Sequence, residues 1–98
     1  MKKGLEKILS MLKSMENEIR IDYKAEIIGV FGSYARGEQE RSSDIDIIVR
    51  FHKGATLFDF MGLANYLEER LGIKVDLVSE NGIRKELKEK ILHEAVAV

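Results

Sequence analysis

The sequence of 98 residues predicts a single α/β domain, in which a small mixed sheet of three or four strands is packed by helices. Three observations predict this class. Apolar residues recur at helical spacing in three segments, and short β-branched segments lie between those helices. The first two strand segments are joined by a short polar link, which favours an antiparallel pair and therefore a mixed sheet.

The predicted elements follow from spacing and composition. Their order is helix 5–19, strand 25–31, turn 32–37, loop 38–43, strand 44–51, loop 52–55, helix 57–71, strand 73–79 and helix 83–95. The first helix is predicted because its apolar residues share one face: Leu5, Ile8, Leu9, Leu12, Met15 and Ile19. The segment 25–31 is short, apolar and β-branched, which predicts a buried strand.

The later elements show alternation and capping signals. In strand 44–51 one face is expected to hold Ile45, Ile47, Val49 and Phe51, and the other Asp44, Asp46, Ile48 and Arg50. Thr56 is expected to cap helix 57–71 with Asp59 as its capping-box partner, and Gly72 to end it. Its predicted buried stripe is Leu57, Phe60, Met61, Ala64, Leu67 and Leu71. Asn81 is expected to cap the last helix, with the stripe Ile83, Leu87, Ile91 and Ala95.

Composition excludes several functions. The 16 basic and 17 acidic residues give a net charge of -1, so no basic surface for long nucleic acids is expected. The sequence has no cysteine, which excludes disulfides and cysteine-ligated zinc. No apolar run reaches the length of a signal peptide or membrane span, so a cytoplasmic protein without a membrane partner is expected.

The most informative stretch combines a turn with paired aspartates. It consists of Gly32-Ser33-Tyr34-Ala35-Arg36-Gly37 and Ser43-Asp44-Ile45-Asp46, with ten residues between Ser33 and Asp44. Asp44 and Asp46 lie two apart on a predicted strand, so their carboxylates project from one face. Such carboxylates repel each other unless a cation lies between them, and Mg²⁺ accepts carboxylate and phosphate oxygens. With Asp76 from a neighbouring strand, three carboxylates can hold two metal ions for nucleotidyl transfer.

The turn 32–37 is a candidate phosphate site. Gly32 has no side chain, so backbone N–H groups there can approach a phosphate closely. Ser33 offers a hydroxyl and can open a short helical turn whose N-terminus favours anions. Arg36 can add a charge-assisted bond to phosphate, or it can pair with Glu38 or Glu40. The sequence leaves these two roles of Arg36 open, just as an exposed strand face remains an alternative for Asp76.

The Gly-Ser turn, the ten-residue spacer, Asp44-Ile45-Asp46 and the later Asp76 resemble the signature of the minimal nucleotidyltransferase family. This family belongs to the DNA polymerase β-like nucleotidyltransferase superfamily and includes the MntA-like antitoxins of HEPN/MNT toxin–antitoxin systems. The resemblance extends over nearly the whole chain. It implies the nucleotidyltransferase fold and one minimal domain over residues 1–98.

The resemblance also implies an activity. Relatives of this kind move AMP from ATP to a tyrosine of a helical HEPN toxin and thereby silence it. Asp44 and Asp46 would bind Mg²⁺, and Asp76 would complete the metal site and help to deprotonate the attacking hydroxyl. Gly32 and Ser33 would hold the β- and γ-phosphates, which leave as pyrophosphate.

Two other functions stay open at this stage. The domain can neutralise a partner by covering it without turnover, or it can bind ATP as a regulatory domain without transfer. The edges of a small sheet must also be covered, and either a homo-oligomer or a partner subunit can do so. We interpret His52 and His93 as surface residues. Met11, Met15 and Met61 are expected in the core. Tyr34 is expected to serve in packing or as a surface contact, and stacking under a base stays an alternative.

Overall fold

The protein is described by a computed structural model over residues 4–98, which form five helices, four strands and one 3₁₀ turn. In chain order these are α1 (Leu5–Ser14), α2 (Glu16–Tyr23), β1 (Ala25–Phe31), α3 (Ser33–Arg36), β2 (Ile45–Phe51), α4 (Leu57–Leu71), β3 (Val75–Ser79), the 3₁₀ turn (Glu80–Gly82), α5 (Lys85–Glu94) and β4 (Val96–Ala97). Within this part of the chain no helix is both long and apolar enough to cross a bilayer.

The four strands form one mixed sheet in the order β3-β2-β1-β4. β1 and β2 are antiparallel, with Phe31 opposite Asp46, and β2 and β3 are parallel, with Asp46 opposite Asp76. β4 adds the fourth strand, antiparallel to β1 at Gly29 and Val30. The structure therefore confirms the mixed α/β sheet, and the turn 32–37 joins β1 to the loop that leads into β2.

The main core lies between one face of the sheet and helices α1, α2 and α4. Its fully buried members are Ile8, Leu12, Ile19, Ala25, Val30, Ile45, Ile47, Val49, Leu63, Leu67 and Leu71. Alternation along β2 places Ile48 and Asp46 on the opposite face. Ile48 is also fully buried, because the chain after β3 folds back: α5 packs on β1, and the 3₁₀ turn packs on β2.

The prediction of one helix over 5–19 was wrong. Helix α1 ends at Ser14 and α2 begins at Glu16, and the N–H of Met15 bonds to the Leu12 carbonyl at 3.1 Å. That i→i−3 bond tightens the last turn of α1. Neither glycine nor proline marks the junction, and the buried stripe continues across it at Ile19, so the sequence carries no local signal for the break.

Helix α4 confirms its predicted bounds and caps but not its whole stripe. The N–H of Thr56 donates to the Asp59 carboxylate at 2.8 Å, and Gly72 ends the helix in the left-handed conformation. Leu57 and Met61, predicted to be buried, are 71% and 54% exposed. The inward face is instead centred on Leu63, Leu67 and Leu71, because α2 packs along the side of α4 as well.

The last helix begins later than predicted. Asn81 lies in the 3₁₀ turn and does not cap α5, which starts at Lys85 after Arg84. Leu87 is exposed rather than buried.

Two strands also begin later than predicted. The predicted strand 73–79 begins only at Val75. Asp44 directly precedes β2, so it lies in the loop end and not in the strand.

Glu80 attaches the chain after β3 to the sheet. Its buried carboxylate accepts bonds from the guanidinium of Arg50 on β2, at 2.7 and 3.3 Å, and lies 3.5 Å from Nζ of Lys88 on α5. Arg50 Nη1 also donates to Glu26 on β1 at 3.1 Å. Arg50 holds the pKa of Glu80 below its ordinary range. A buried carboxylate needs such partners, and these contacts attach both the 3₁₀ turn and α5 to the sheet.

Gly29 allows β4 to approach β1. A Cβ at this position would lie 2.6 Å from the carbonyl oxygen of Val96, which is backbone and cannot rotate away. The glycine therefore decides whether the end of the chain can close onto the sheet.

We expect Gly29→Ala to lower the free energy of unfolding by about 1–3 kcal/mol, since the added methyl group overpacks against the backbone of Val96. Urea denaturation measures the change. Gly82→Ala is the matched control, because nothing lies within 4 Å of its Cβ position, and a change below about 0.5 kcal/mol is expected there. Equal stability of the two variants would contradict this account of β4.

Candidate functional site

Two aspartates from neighbouring strands face each other at one end of the sheet. Asp46 on β2 and Asp76 on β3 are register partners in the parallel pair, so their side chains leave the same face. The two carboxyl groups interact at hydrogen-bonding range. The structure thus brings together two of the three predicted carboxylates directly, and Asp44 acts on Asp46 electrostatically.

The environment disfavours a negative charge on Asp46. Burial is the largest cause, followed by Asp76 and then Asp44, and together they raise the pKa of Asp46 to about 6. Arg36 acts in the opposite direction but more weakly. A half-buried carboxyl beside two other acidic groups needs a proton or a cation to be stable.

The backbone of the Gly-Ser turn lies directly on the Asp46 carboxylate. Gly32 has φ 74° and ψ −150°, and a Cβ there would lie 2.1 Å from Oδ2 of Asp46. Both the conformation and the space require glycine. This contact follows from the pairing of Phe31 with Asp46, which places the end of β1 beside the start of β2.

Ser33 begins the single helical turn α3 immediately after Gly32. Gly37 ends that turn in the left-handed conformation, and the N–H of Glu38 returns to the Ser33 carbonyl at 2.9 Å. The turn therefore has a fixed shape on the rim of the aspartate pair. Tyr34, within the same turn, is buried in the core, which confirms packing and excludes a role as an open stacking surface.

Arg36 pairs with two glutamates on the rim of the site. Its Nε donates to Glu38 at 2.7 Å and its Nη1 donates to Glu94 at 2.5 Å. Pairing with Glu38 was one of the two roles that the sequence left open. Glu94 was missed, because it lies 58 residues further along the chain and only the return of α5 to the sheet brings it there.

The carboxylates fit a divalent cation by their chemistry. Among the described residues 4–98, no group of three or more acidic or histidine side chains is arranged so that it could hold a metal ion. Asp46 and Asp76 nevertheless meet as like charges, with Asp44 close enough to raise the pKa of Asp46. Oxygen ligands in this arrangement suit Mg²⁺, and the charge that burial and repulsion disfavour is the charge that a cation would balance.

Comparison with known proteins identifies the family and the fold. A family model described as a nucleotidyltransferase domain matches residues 5–98. The protein adenylyltransferase MntA of Thermococcus cleftensis is 42% identical over 94 residues, which cover 96% of this chain and 95% of that protein. The chain belongs to the nucleotidyltransferase domain family, a class of enzymes.

Solved structures show the same fold. One described as a candidate minimal nucleotidyltransferase has a TM-score of 0.84 and 38% identity, and the match covers 98% of this chain and 97% of that chain. A toxin–antitoxin structure with AMP-PNP has a TM-score of 0.69 and 29% identity over 87% of this chain and 70% of that chain. The predicted minimal nucleotidyltransferase fold is therefore confirmed.

We expect Asp46→Asn to stabilise the protein at neutral pH in the absence of divalent cations. A carboxyl with a raised pKa costs stability wherever it is ionised in the folded state. The cost is absent below the ordinary pKa near about 4, grows as pH rises, and is complete above about 6. The gain at pH 7.5 should be about 1–2 kcal/mol after allowing for solvent screening, and it should vanish near pH 4.

Urea denaturation at several pH values with EDTA measures this difference. Asp22→Asn, at an exposed position on α2, is the matched control for removal of one aspartate charge. A stability difference between Asp46→Asn and wild type that is the same at pH 4 and pH 7.5 would contradict the assigned electrostatics.

Proposed function

We propose that the chain is a Mg²⁺-dependent protein adenylyltransferase that moves AMP from ATP to a tyrosine of a HEPN-type partner and so acts as its antitoxin. The observation that carries the proposal is the contact between the Gly32 backbone and Asp46, with Asp76 paired beside it. The candidate phosphate turn and the candidate cation-binding carboxylates thus lie at the same end of the sheet.

Asp44, Asp46 and Asp76 are the residues that would hold Mg²⁺. Three carboxylates supply enough oxygen ligands to share between two ions. The ions, when bound, supply positive charge that offsets the negative charge of the triphosphate during transfer. The pairing of Asp46 with Asp76 supports this assignment. Asp44 directly precedes β2 and is exposed, and it would supply the third carboxylate to the cation.

The remaining roles belong to the turn and to Asp76. Backbone N–H groups after Gly32 and the hydroxyl of Ser33 donate to the β- and γ-phosphates, and Arg36 adds a charged donor. The tyrosine oxygen of the partner bonds to the α-phosphorus. The bond from that phosphorus to the bridging oxygen breaks, pyrophosphate leaves, and the phenolic proton passes to the Asp76 carboxylate.

Several observations support a protein acceptor. Asp44 and Asp76 are exposed, so a side chain on another protein can reach the reacting atoms. The relative from Thermococcus cleftensis is named a protein adenylyltransferase, and a fold neighbour is a toxin–antitoxin structure with AMP-PNP. These likenesses and the sequence signature favour ATP as the nucleotide and a toxin as the acceptor.

Neutralisation by covering the partner is a second candidate, favoured by an exposed apolar surface on α4. Phe58 is 85% exposed, and Leu57 and Met61 next to it are exposed too. This surface follows the C-terminal end of β2, whereas Asp46 lies at the N-terminal end. A partner held there without turnover would not need the aspartates.

The transfer assay uses the purified chain, Mg²⁺, α-labelled ATP and a HEPN-domain protein, and scores the label on protein. We expect Asp46→Asn and Asp44→Asn to reduce labelling by about 100-fold or more, because the ion that offsets the phosphate charge is lost. Asp22→Asn, which removes an exposed aspartate far from the site, is expected to label as wild type does.

The outcomes separate the candidate functions. Label on a partner tyrosine that depends on Asp44 and Asp46 supports adenylyl transfer. Neutralisation that survives Asp46→Asn but fails after Phe58→Ser supports covering. Binding of ATP with no pyrophosphate release in the presence of the partner would point to a nucleotide-sensing domain instead.

A further inference from the structure

A cluster of three charged residues lies on the rim of the aspartate pair and joins distant parts of the chain. We call it the Arg36 clamp: Arg36 at the end of α3, Glu38 in the following loop and Glu94 at the end of α5. Arg36 uses one N–H for each glutamate. A guanidinium has five N–H groups, so three remain for another acceptor.

The two glutamates differ in how firmly they are held. Glu38 follows α3 in a polar loop, and its side chain is 61% exposed. Glu94 is the last residue of a ten-residue helix, and its side chain is 31% exposed. Glu94 is therefore the better fixed partner, and its contact with Arg36 joins residues that are 58 positions apart in the chain.

The position of Glu94 is unusual for its charge. The carboxyl end of a helix carries partial negative charge, so an acidic residue there is disfavoured unless a cation is close. Arg36 is that cation. The pairing offsets the unfavourable position of Glu94, and it also fixes a flexible arginine whose rotamer freedom would otherwise be lost when a ligand binds.

Both sides of the Arg36 clamp are attached to the same strand. Arg36 follows β1 through Gly32 and α3. Glu94 is attached to β1 by β4, which pairs with Gly29 and Val30 only two residues after it. Relative movement of Arg36 and Glu94 is thus restricted by backbone pairing as well as by their ion pair.

We propose that Glu94 is a positioning residue, which holds the Arg36 guanidinium beside the Gly32–Ser33 turn so that its free N–H groups meet the phosphates of a nucleoside triphosphate. The proposal rests on the proposed function only in taking a triphosphate as the ligand of the turn. It assigns a part in nucleotide affinity to α5 and β4, although the aspartate pair lies on β2 and β3.

The test measures affinity by calorimetry for ATP and for AMP, each with Mg²⁺, on the full chain. Glu94→Ala should weaken ATP binding by about 3- to 5-fold and AMP binding less, because the lost interaction acts on the outer phosphates. Glu94→Gln keeps an acceptor oxygen for Arg36 and should retain part of the affinity. Glu89→Ala, an exposed position on the same helix, is the control and should leave the affinity for ATP unchanged.

A double-mutant cycle decides whether Glu94 acts through Arg36. In an Arg36→Gln background, Glu94→Ala should cause no further loss of ATP affinity. Equal losses in both backgrounds, or equal losses for ATP and AMP, would overturn the positioning role and leave only a structural one. Circular dichroism and thermal unfolding confirm that each variant is folded before binding is compared.

The readouts also separate this proposal from adenylyl transfer. Wild-type affinity for ATP that falls in Glu94→Ala, with no label reaching any partner, would retain the positioning role and reject the transfer. Label transfer by the wild-type chain, together with an unchanged ATP affinity in Glu94→Ala, would support the transfer and reject the positioning role. A wild-type chain that does not bind ATP at all would overturn both.

Discussion

The contact between the backbone of Gly32 and the carboxylate of Asp46 is the constraint on which the site depends. It exists only because β1 and β2 pair antiparallel with Phe31 opposite Asp46, and because a residue without a Cβ ends β1. A shift of one residue in that register would turn Asp46 into the core and bring Ile45 or Ile47 to the turn. The buried apolar face of β2 therefore fixes the register, and the register places the Asp46 carboxylate beside Gly32.

The same arrangement lowers the stability of the folded state, because it brings acidic groups together at the candidate site. Asp46 and Asp76 meet as like charges in a partly buried place, and this raises the pKa of Asp46 toward neutrality. A sequence selected for folding alone would avoid such a pair. The main core of α1, α2, α4 and the sheet consists of apolar side chains, and the carboxylates lie outside it at the strand ends. Because the unfavourable charge is confined to the rim, the core does not have to accommodate it.

The second half of the chain contributes Glu94 to the rim of the site, although Glu94 is far from Arg36 in sequence. The Arg50–Glu80 pair holds the 3₁₀ turn against the sheet, and α5 follows that turn. After α5, β4 pairs with β1 at Gly29 and Val30, where Gly29 has no side chain to obstruct the approach. This closure brings Glu94 to Arg36. The nucleotidyltransferase fold thus uses its C-terminal helix for more than covering Ile48 and the second face of the sheet. That helix also carries Glu94, which accepts a hydrogen bond from the Arg36 guanidinium of the turn after β1.

The sequence by itself determined the α/β class, the mixed sheet, the bounds and caps of α4, and the link between the Gly-Ser turn and three aspartates. These follow from local signals, namely the alternation of apolar residues, glycine in a turn and acidic residues two apart at the start of a strand. Only the tertiary structure decided the break at Met15, the exposure of Leu57 and Met61, the late start of α5, the fourth strand and the contact of Glu94 with Arg36. Each of these depends on which surfaces pack together, and packing joins residues far apart in the chain, for which a local pattern carries no signal.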